Sequence, residues 1–150
     1  MPDALLFTID AARYALLLRD VVEVVPAVNV LALPDAPDIV EGVVNVRGEV
    51  VPVLSLRARL GHPARVPQAT EYFILVNARS RRVIVRSDSS PEIVSIPEMQ
   101  VSGGEEVERA LAGVMALPTG IALFQDINRF MDAGDERSLV AAIVGRVTPT

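Results

Sequence analysis

The sequence predicts a mainly β fold that ends in an α-helix. Three observations support this prediction: an excess of β-branched residues, short apolar runs with a two-residue period, and frequent Gly and Pro between those runs. The chain of 150 residues includes 24 Val and 9 Ile, and branching at Cβ restricts χ1 in a way that suits a pleated sheet. This length is that of one ordinary domain.

Strand patterns are clear in the first part of the chain. Apolar residues recur with a two-residue period on either side of a turn at 10–13, at Leu5, Phe7 and Ile9 in 4–9 and at Tyr14, Leu16 and Leu18 in 14–18, which predicts a hairpin. Pro26 interrupts the extended run that follows, so this strand is expected at a sheet edge or with a bulge. Two further strands are predicted at 43–46 and 50–54.

A loop separates this part of the chain from a second set of strands. Residues 61–70 hold two Pro, one Gly and mostly polar partners, which predicts a loop and a boundary between two halves of the domain. Residues 101–107, which include Gly103 and Gly104, are expected to form a solvated loop. Strands of the second half are predicted at 72–76, 82–85, 92–96, 111–116 and 121–124.

Helical segments are predicted after two of the strands. Ser55 is a candidate N-cap for a short turn at 56–60, which Gly61 is expected to end. A longer C-terminal helix is predicted over 135–145, with Asp132 or Asp135 as its cap. The apolar residues of that helix lie on one stripe at helical spacing: Leu139, Val140, Ile143 and Val144.

A faint repeat with an offset of 71 residues relates the two halves. Gly42-Val43 recurs as Gly113-Val114, and Ser55 recurs as Asp126 at the position of a cap. Each copy reads as strand, turn, strand, cap and short helical turn, so two related half-units are expected in one domain. A chance match stays open because Val is so frequent in this chain.

The composition argues against several classes of function. The net charge is −5 and the isoelectric point is near 4.9, whereas a nucleic-acid-binding protein usually presents a basic surface. The chain has no Cys, which excludes disulfides and thiolate chemistry. It also lacks an apolar run of membrane-spanning length and the start of a signal peptide, so a cytoplasmic location is expected.

The search for catalytic or metal-binding groups predicts no enzyme, no cofactor and no metal. The single His, His62, lies between Gly61 and Pro63, where a surface role is expected. Gly103-Gly104 lacks the further glycines and the Lys of a phosphate-binding loop. The acidic groups lack the spacing of a Ca²⁺ loop and are expected to be solvated: Asp35, Asp38 and Glu41, and Glu105, Glu106 and Glu108.

One segment carries a specific pattern. Residues 39–57 read Ile-Val-Glu-Gly-Val-Val-Asn-Val-Arg-Gly-Glu-Val-Val-Pro-Val-Leu-Ser-Leu-Arg, and this resembles the signature of the CheW family of chemotaxis adaptors. Val46 stands in place of the usual Leu, and Ser55 in place of the usual Asp. Weaker family-like pieces occur in the same order along the chain: Tyr14-Ala15-Leu16, Val21 to Val25, Leu33-Pro34, Glu92-Ile93-Val94 and Leu123 to Ile127.

The resemblance implies a fold and a function. The fold is two small five-stranded SH3-like β-barrels that share a core, as two interleaved halves of a single domain over 1–150 with a boundary near 61–70. The function is that of a non-enzymatic adaptor that couples the cytoplasmic tips of chemoreceptors to the regulatory domain of a CheA-type histidine kinase. The chain departs from the family at 84–91, where Arg86, Ser90 and Pro91 are unusual, and a partner surface built there is expected to be altered.

Five residues are candidates for partner binding. Arg47 lies at a turn where packing does not require Arg, so its guanidinium is a candidate donor to a partner carboxylate; a structural pairing with Glu23 or Glu49 is the alternative. Asn45 is a candidate too, although capping of its own turn is the favoured role. The others are Val21 and Glu23, as an apolar and acidic edge, and Gly42, as the floor of a groove.

Two other functions stay open at the level of sequence. A small-molecule-binding β-barrel sensor would need a polar-lined cavity, for which the unusual segment 86–91 is the candidate position. A hydrolase that uses a pair of carboxylates is the third hypothesis, because pairing in space is not visible in a sequence.

Overall fold

The computed structural model describes residues 3–78, 81–95, 101–102, 114–117, 120–130 and 133–147. Within these ranges the chain is mainly β, as predicted. The strands are β1 (Asp3–Ile9), β2 (Ala12–Leu17), β3 (Val21–Pro26), β4 (Val40–Val46), β5 (Glu49–Leu54), β6 (Tyr72–Ala78), β7 (Arg81–Ser87), β8 (Glu92–Ser95), β9 (Val101–Ser102), β10 (Val114–Leu117) and β11 (Gly120–Phe124).

Among the described residues, the helical elements are short except for the last one. 3-10 turns span Leu18–Asp20 and Ile127–Arg129, and α1 spans Leu56–Arg59. The C-terminal helix, α2, spans Ala133–Val147 and confirms the predicted helix with slightly wider bounds.

The strands form two sheets. One sheet has the order β3-β6-β7-β5-β4, and the other has the order β8-β1-β2-β11-β10-β9. The described strands thus give one sheet the expected five strands and the other six, because the two-residue strand β9 extends its edge. Both sheets fit SH3-like units.

The five-stranded sheet curls towards closure. Leu31, which follows the edge strand β3, forms an antiparallel bridge with Val43 of the opposite edge strand. Two backbone hydrogen bonds of 2.8 and 2.9 Å join these residues. Pro26 ends β3 at the edge of the sheet, where a residue without an N–H is tolerated.

Each half of the chain supplies strands to both sheets. A half consists of a hairpin, a single strand, a second hairpin and a short helical turn, and residues 61–71 connect the two halves. The first hairpin of each half lies in the same sheet as the second hairpin of the other half. The repeat with an offset of 71 residues therefore has a structural counterpart, and the two halves are interleaved.

Three groups of buried apolar residues fill the fold. One group packs on the six-stranded sheet and includes Ala4, Ala15 and Phe124. A second group packs on the five-stranded sheet and consists of Val, Leu, Ile and Phe side chains, including Phe73. The largest group lies between the sheets, and Leu139 of α2 is fully buried in it.

The predicted caps have mixed outcomes. The carboxylate of Asp126 accepts a hydrogen bond of 3.0 Å from the N–H of Asn128, which is the geometry of a cap. Ser55 makes no such hydrogen bond with its side chain, so the prediction of a side-chain cap there is wrong. Gly61 has φ of +80°, which fits a residue that ends a helical turn. The predictions at 103–113, 118–119 and Asp132 lie outside the described residues.

Candidate functional site

The hairpin turn between β4 and β5 is built from two residues with positive φ. Arg47 has φ of +49° and Gly48 has φ of +88°, which are the signs that a two-residue hairpin turn requires. The side-chain oxygen of Asn45 accepts a hydrogen bond of 2.8 Å from the N–H of Gly48. Asn45 therefore stabilises its own turn, in agreement with the role favoured from the sequence.

Arg47 at the tip of this turn faces Glu23 of the edge strand β3. Its Nη1 lies 3.4 Å from Glu23 Oε2, and its Nη2 contacts Glu23 Oε1. The side chain of Arg47 nevertheless stays 67% exposed. The hydrogen bond from Arg47 is the main cause that lowers the pKa of Glu23, so this carboxylate stays ionised in neutral solution. The pair thus presents a fixed guanidinium at the surface.

β3 carries two exposed apolar residues that precede and follow Glu23 in the chain. Val22 and Val24 are each 37% exposed, and the alternation along β3 places Val24 on the opposite face of the strand from Glu23. Val21 packs against the core between the sheets, and its partner role stays a prediction.

Gly42 is covered by the protein itself rather than by an open groove. A Cβ at this position would lie 2.4 Å from the carbonyl oxygen of Leu31 and 2.7 Å from Val30 Cγ1. The segment that closes the five-stranded sheet therefore lies directly on Gly42. The prediction that Gly42 forms the floor of a partner groove is not supported, because that space holds the chain's own backbone.

Replacing Gly42 by Ala is expected to destabilise the protein by about 1–3 kcal/mol, as overpacking against backbone typically does. The free energy of unfolding, measured by urea titration, checks this prediction. Gly48 is in open space but has positive φ, so Gly48→Ala is the comparison variant that reports on backbone strain without a steric contact. Unchanged stability of Gly42→Ala would contradict the close approach of residues 30–31.

A buried ionic network surrounds Arg86 near the end of β7. Arg86 is only 4% exposed and donates from Nε to Glu71 Oε1 at 2.8 Å and from Nη1 to Glu41 Oε1 at 2.6 Å. Its Nη2 donates to the carbonyl oxygen of Arg65 at 2.8 Å. Glu71 also pairs with Arg65 at 3.1 Å. Glu41 and Arg86 are thus structural residues, and the expectation that Glu41 is merely solvated is wrong.

A second centre of the network joins the two sheets through Arg57. This side chain is 5% exposed and contacts Asp10 Oδ2 at 2.9 Å and Asp88 Oδ2 at 2.6 Å. It also donates to the carbonyl oxygen of Pro63 at 3.1 Å. Asp10 belongs to the β1–β2 turn and Asp88 follows β7, so Arg57 connects elements of different sheets to the connector at 61–71.

His62 takes part in the same network. Its Nε2 lies 2.6 Å from the hydroxyl oxygen of Tyr14, and its Nδ1 lies 3.5 Å from Asp10 Oδ2. The imidazole is 15% exposed, so the prediction of a surface His is wrong. Burial, with a smaller effect from Asp10, raises the pKa of Tyr14. The Tyr14 hydroxyl therefore stays neutral and positions His62 in the connector.

The unusual segment 84–91 is well ordered around these charges. β7 continues to Ser87, whose hydroxyl donates a hydrogen bond of 2.7 Å to the carbonyl oxygen of Ser89. The N–H of Thr8 donates to Ser87 Oγ at 3.2 Å, and the N–H of Asp88 donates to the carbonyl oxygen of Thr8 at 2.8 Å. These bonds join the end of β7 to β1 of the other sheet.

The network predicts a loss of stability in acid. Burial opposes ionisation of Asp88, but the N–H of Asp10 and the guanidinium of Arg57 outweigh it and lower the pKa of Asp88. A carboxyl group with a lower pKa in the folded state stabilises above its unfolded pKa of about 3.9, and this contribution is lost as the pH falls through the folded pKa. The pKa of Glu71 is also lowered, so its contribution to stability is lost in acid in the same way. Burial raises the pKa of Glu41, so its contribution to stability changes with pH in the opposite direction.

Asp88→Asn is therefore expected to flatten the fall in unfolding free energy between about pH 5 and pH 3. Urea titrations at several pH values measure this slope. Asp38→Asn, at an exposed carboxylate, is the matched control and should keep the slope of the wild type. Equal slopes for all three proteins would mean that Asp88 does not contribute to acid sensitivity.

The described residues contain no group of His, Asp and Glu side chains that could hold a metal ion. Within the same ranges, no helix combines the length and the apolar character that crossing a membrane requires.

Comparisons with known proteins agree with this arrangement. The family model of the CheW-like domain matches residues 3–135. The chemotaxis protein CheW of Klebsiella aerogenes is 26% identical over 141 residues, which are 91% of this chain and 84% of that protein. The chemotaxis protein CheW of Rhizobium meliloti is 32% identical over 90 residues, which are 57% of this chain and 58% of that protein.

A solved structure has the same fold. The scaffolding protein TtCheW from Thermoanaerobacter tengcongensis matches 90% of this chain and 96% of its own chain, with a TM-score of 0.79 and 23% sequence identity. This likeness confirms the mainly β fold of two SH3-like units. Because the family model spans nearly the whole chain, the protein belongs to the CheW-like domain family.

Proposed function

We propose that the protein is a non-enzymatic adaptor that couples chemoreceptors to a CheA-type histidine kinase in the cytoplasm. Membership of the CheW-like domain family supports this proposal, and two relatives that match 91% and 89% of this chain are chemotaxis proteins. The finer proposal is that the partners are the regulatory domain of the kinase and the cytoplasmic tips of the receptors.

The observation that carries the proposed site is the conformation of Arg47. A non-Gly residue with positive φ costs roughly 1–2 kcal/mol of backbone energy, and hairpin turns of this kind prefer Asn, Asp or Gly. The Arg47 side chain is largely exposed and does not pack in the core. A strained position that holds an exposed guanidinium is best explained by a use of that side chain.

The exposed guanidinium of Arg47 suits a partner protein whose surface presents an acidic group. Glu23 holds the Arg47 fork in place before a partner arrives, which reduces the entropy lost on binding. The guanidinium of Arg47 remains largely exposed, and Arg is common at interface centres. We therefore assign partner binding to Arg47 and Glu23.

Arg47→Ala is expected to weaken binding to one of the two partners by about tenfold or more. Calorimetric titration of the purified protein into the regulatory domain of the kinase measures the affinity for the kinase. Titration with a receptor tip fragment measures the affinity for the receptor. Because Arg47 is exposed, the thermal unfolding midpoint should stay close to that of the wild type.

Arg59→Ala is the matched control, since Arg59 is an exposed Arg on α1. It should leave both affinities unchanged. Glu23→Gln should weaken the same partner as Arg47→Ala, although by less. Wild-type affinity of Arg47→Ala for both partners would remove Arg47 from the binding surface, whereas absence of kinase binding by the folded wild type would overturn the proposed function itself.

A further inference from the structure

The two halves of the fold place a Glu at equivalent positions. Glu23 of β3 is paired with Leu75, and Glu92 of β8 is paired with Leu6. In its hairpin, Leu75 pairs with Ile84, and Ile84 pairs with Val53 of a parallel strand from the other half. In the same way, Leu6 pairs with Ala15, and Ala15 pairs with Phe124 of a parallel strand from the other half. Leu75 and Leu6 therefore hold equivalent positions. Glu92 is therefore the counterpart of Glu23.

The surroundings of the two carboxylates differ. Glu23 contacts Arg47 from the neighbouring turn. At the repeat offset of 71 residues, the sequence has Pro118 where the first half has Arg47, so the chain supplies no guanidinium from that position. Among the described residues, no hydrogen bond or ion pair is recorded for Glu92, and it is exposed.

A cleft lies where the first half holds its ion pair. It has a volume of about 530 Å³ and is lined by Glu92, by apolar side chains that include Leu6, Val94 and Leu117, and by polar side chains that include Ser90. Leu117 is the counterpart of Val46, the residue that precedes Arg47, because both close the last strand pair of a hairpin. The cleft therefore holds one carboxylate next to apolar side chains within a mixed lining, which fits the charged end and the aliphatic stem of an Arg.

We propose that this cleft receives an arginine side chain of a partner protein, which pairs with Glu92 as Arg47 pairs with Glu23 within the chain. Arg13 also lines the cleft, and its own positive charge does not oppose this assignment. Its counterpart Arg82 lies near enough to Glu23 to lower the pKa of that carboxyl by its charge, and Glu23 holds Arg47 nonetheless. The proposal rests on the repeat and the cleft, and it is independent of the proposed adaptor function.

The test uses the full chain and a minimal probe, N-acetyl-arginine methylamide, in an amide-detected NMR titration. The amides of Leu6 and Val94 are expected to shift in a saturable way, with a dissociation constant on the order of millimolar for so small a ligand. N-acetyl-citrulline methylamide has nearly the same shape without the charge, and it should give no saturable shift at these amides.

Variants separate a specific site from general charge pairing. Glu92→Gln should weaken binding of the probe at least fivefold, whereas Asp38→Asn, at another exposed carboxylate, should leave it unchanged. Arg47→Ala should create a second, equivalent site, with new shifts at Val22 and Val24. The proposal is overturned if citrulline binds as well as arginine, if Glu92→Gln binds like the wild type, or if Asp38 contributes as much as Glu92.

Discussion

Arg86→Leu is expected to lower the free energy of unfolding by about 3–5 kcal/mol, the usual cost of removing one partner of a buried ion pair. The reason is that Glu71, whose side chain is 0% exposed, would lose two hydrogen bonds from Arg86. Glu41 would lose its partner as well. Two carboxylates would then lie in or near the core with too few donors, and urea unfolding measures the result.

The double variant Arg86→Leu with Glu71→Leu tests whether the loss of stability comes from leaving Glu71 charged and unpaired in the core. Removing Glu71 as well eliminates the fully buried unpaired carboxylate and leaves only the part-exposed Glu41 without its partner, so the double variant is expected to be more stable than Arg86→Leu alone. Arg82→Leu, which breaks an exposed pair with Glu49 at 3.3 Å, is the control and should cost less than about 1 kcal/mol. A cost for Arg86→Leu no larger than that of Arg82→Leu would contradict the buried network.

Leu139→Ala is expected to cost about 2–5 kcal/mol, as truncation of a fully buried Leu typically does. Leu139 is 0% exposed and anchors α2 in the apolar group between the two sheets. The neighbouring Val140 is 40% exposed, so Val140→Ala changes the same helix without opening the core. That control should change the unfolding free energy by less than about 0.5 kcal/mol.

The outcome reports directly on how the C-terminal helix docks. A large loss for Leu139→Ala, with little change for Val140→Ala, means that α2 is part of the domain core. Equal, small effects of both variants would mean that the helix is not held on the sheets and that Leu139 does not contribute to the core between them.

Much of the fold could be predicted because its signals are local. Alternation along 4–9 and 14–18 predicted β1 and β2, and the stripe on 135–145 predicted α2. The family-like segment 39–57 could be recognised because its Gly, Asn and Arg have fixed positions in one hairpin. The partner role of Arg47 was predicted from this segment, that of Glu23 was predicted from the weaker piece Val21 to Val25, and both remain predictions.

The exchange of hairpins between sheets could not be predicted from periodicity. Alternation shows that a segment is a strand with a buried face, but it does not show which sheet the strand joins. The repeat indicated two half-units, and the pairing of β2 with β11 and of β5 with β7 shows that they are interleaved.

The buried network was missed for a related physical reason. Arg57 and Asp10 are 47 residues apart, and Arg86 and Glu41 are 45 apart. In sequence such residues look like isolated surface charges, because only the folded chain brings opposite charges together and removes them from water. Gly42 was misinterpreted likewise, since the contact that excludes a side chain there comes from Leu31.

The central claim is that this chain couples receptors to a kinase, and a sedimentation assay with three components tests it most directly. Membranes that contain a chemoreceptor are pelleted with a CheA-type kinase from the same genome, with and without the purified protein. If the protein couples the two partners, it pellets with the receptor and increases the amount of kinase in the pellet several-fold. If the amount of kinase in the pellet is the same with and without the folded protein, the claim of coupling is contradicted.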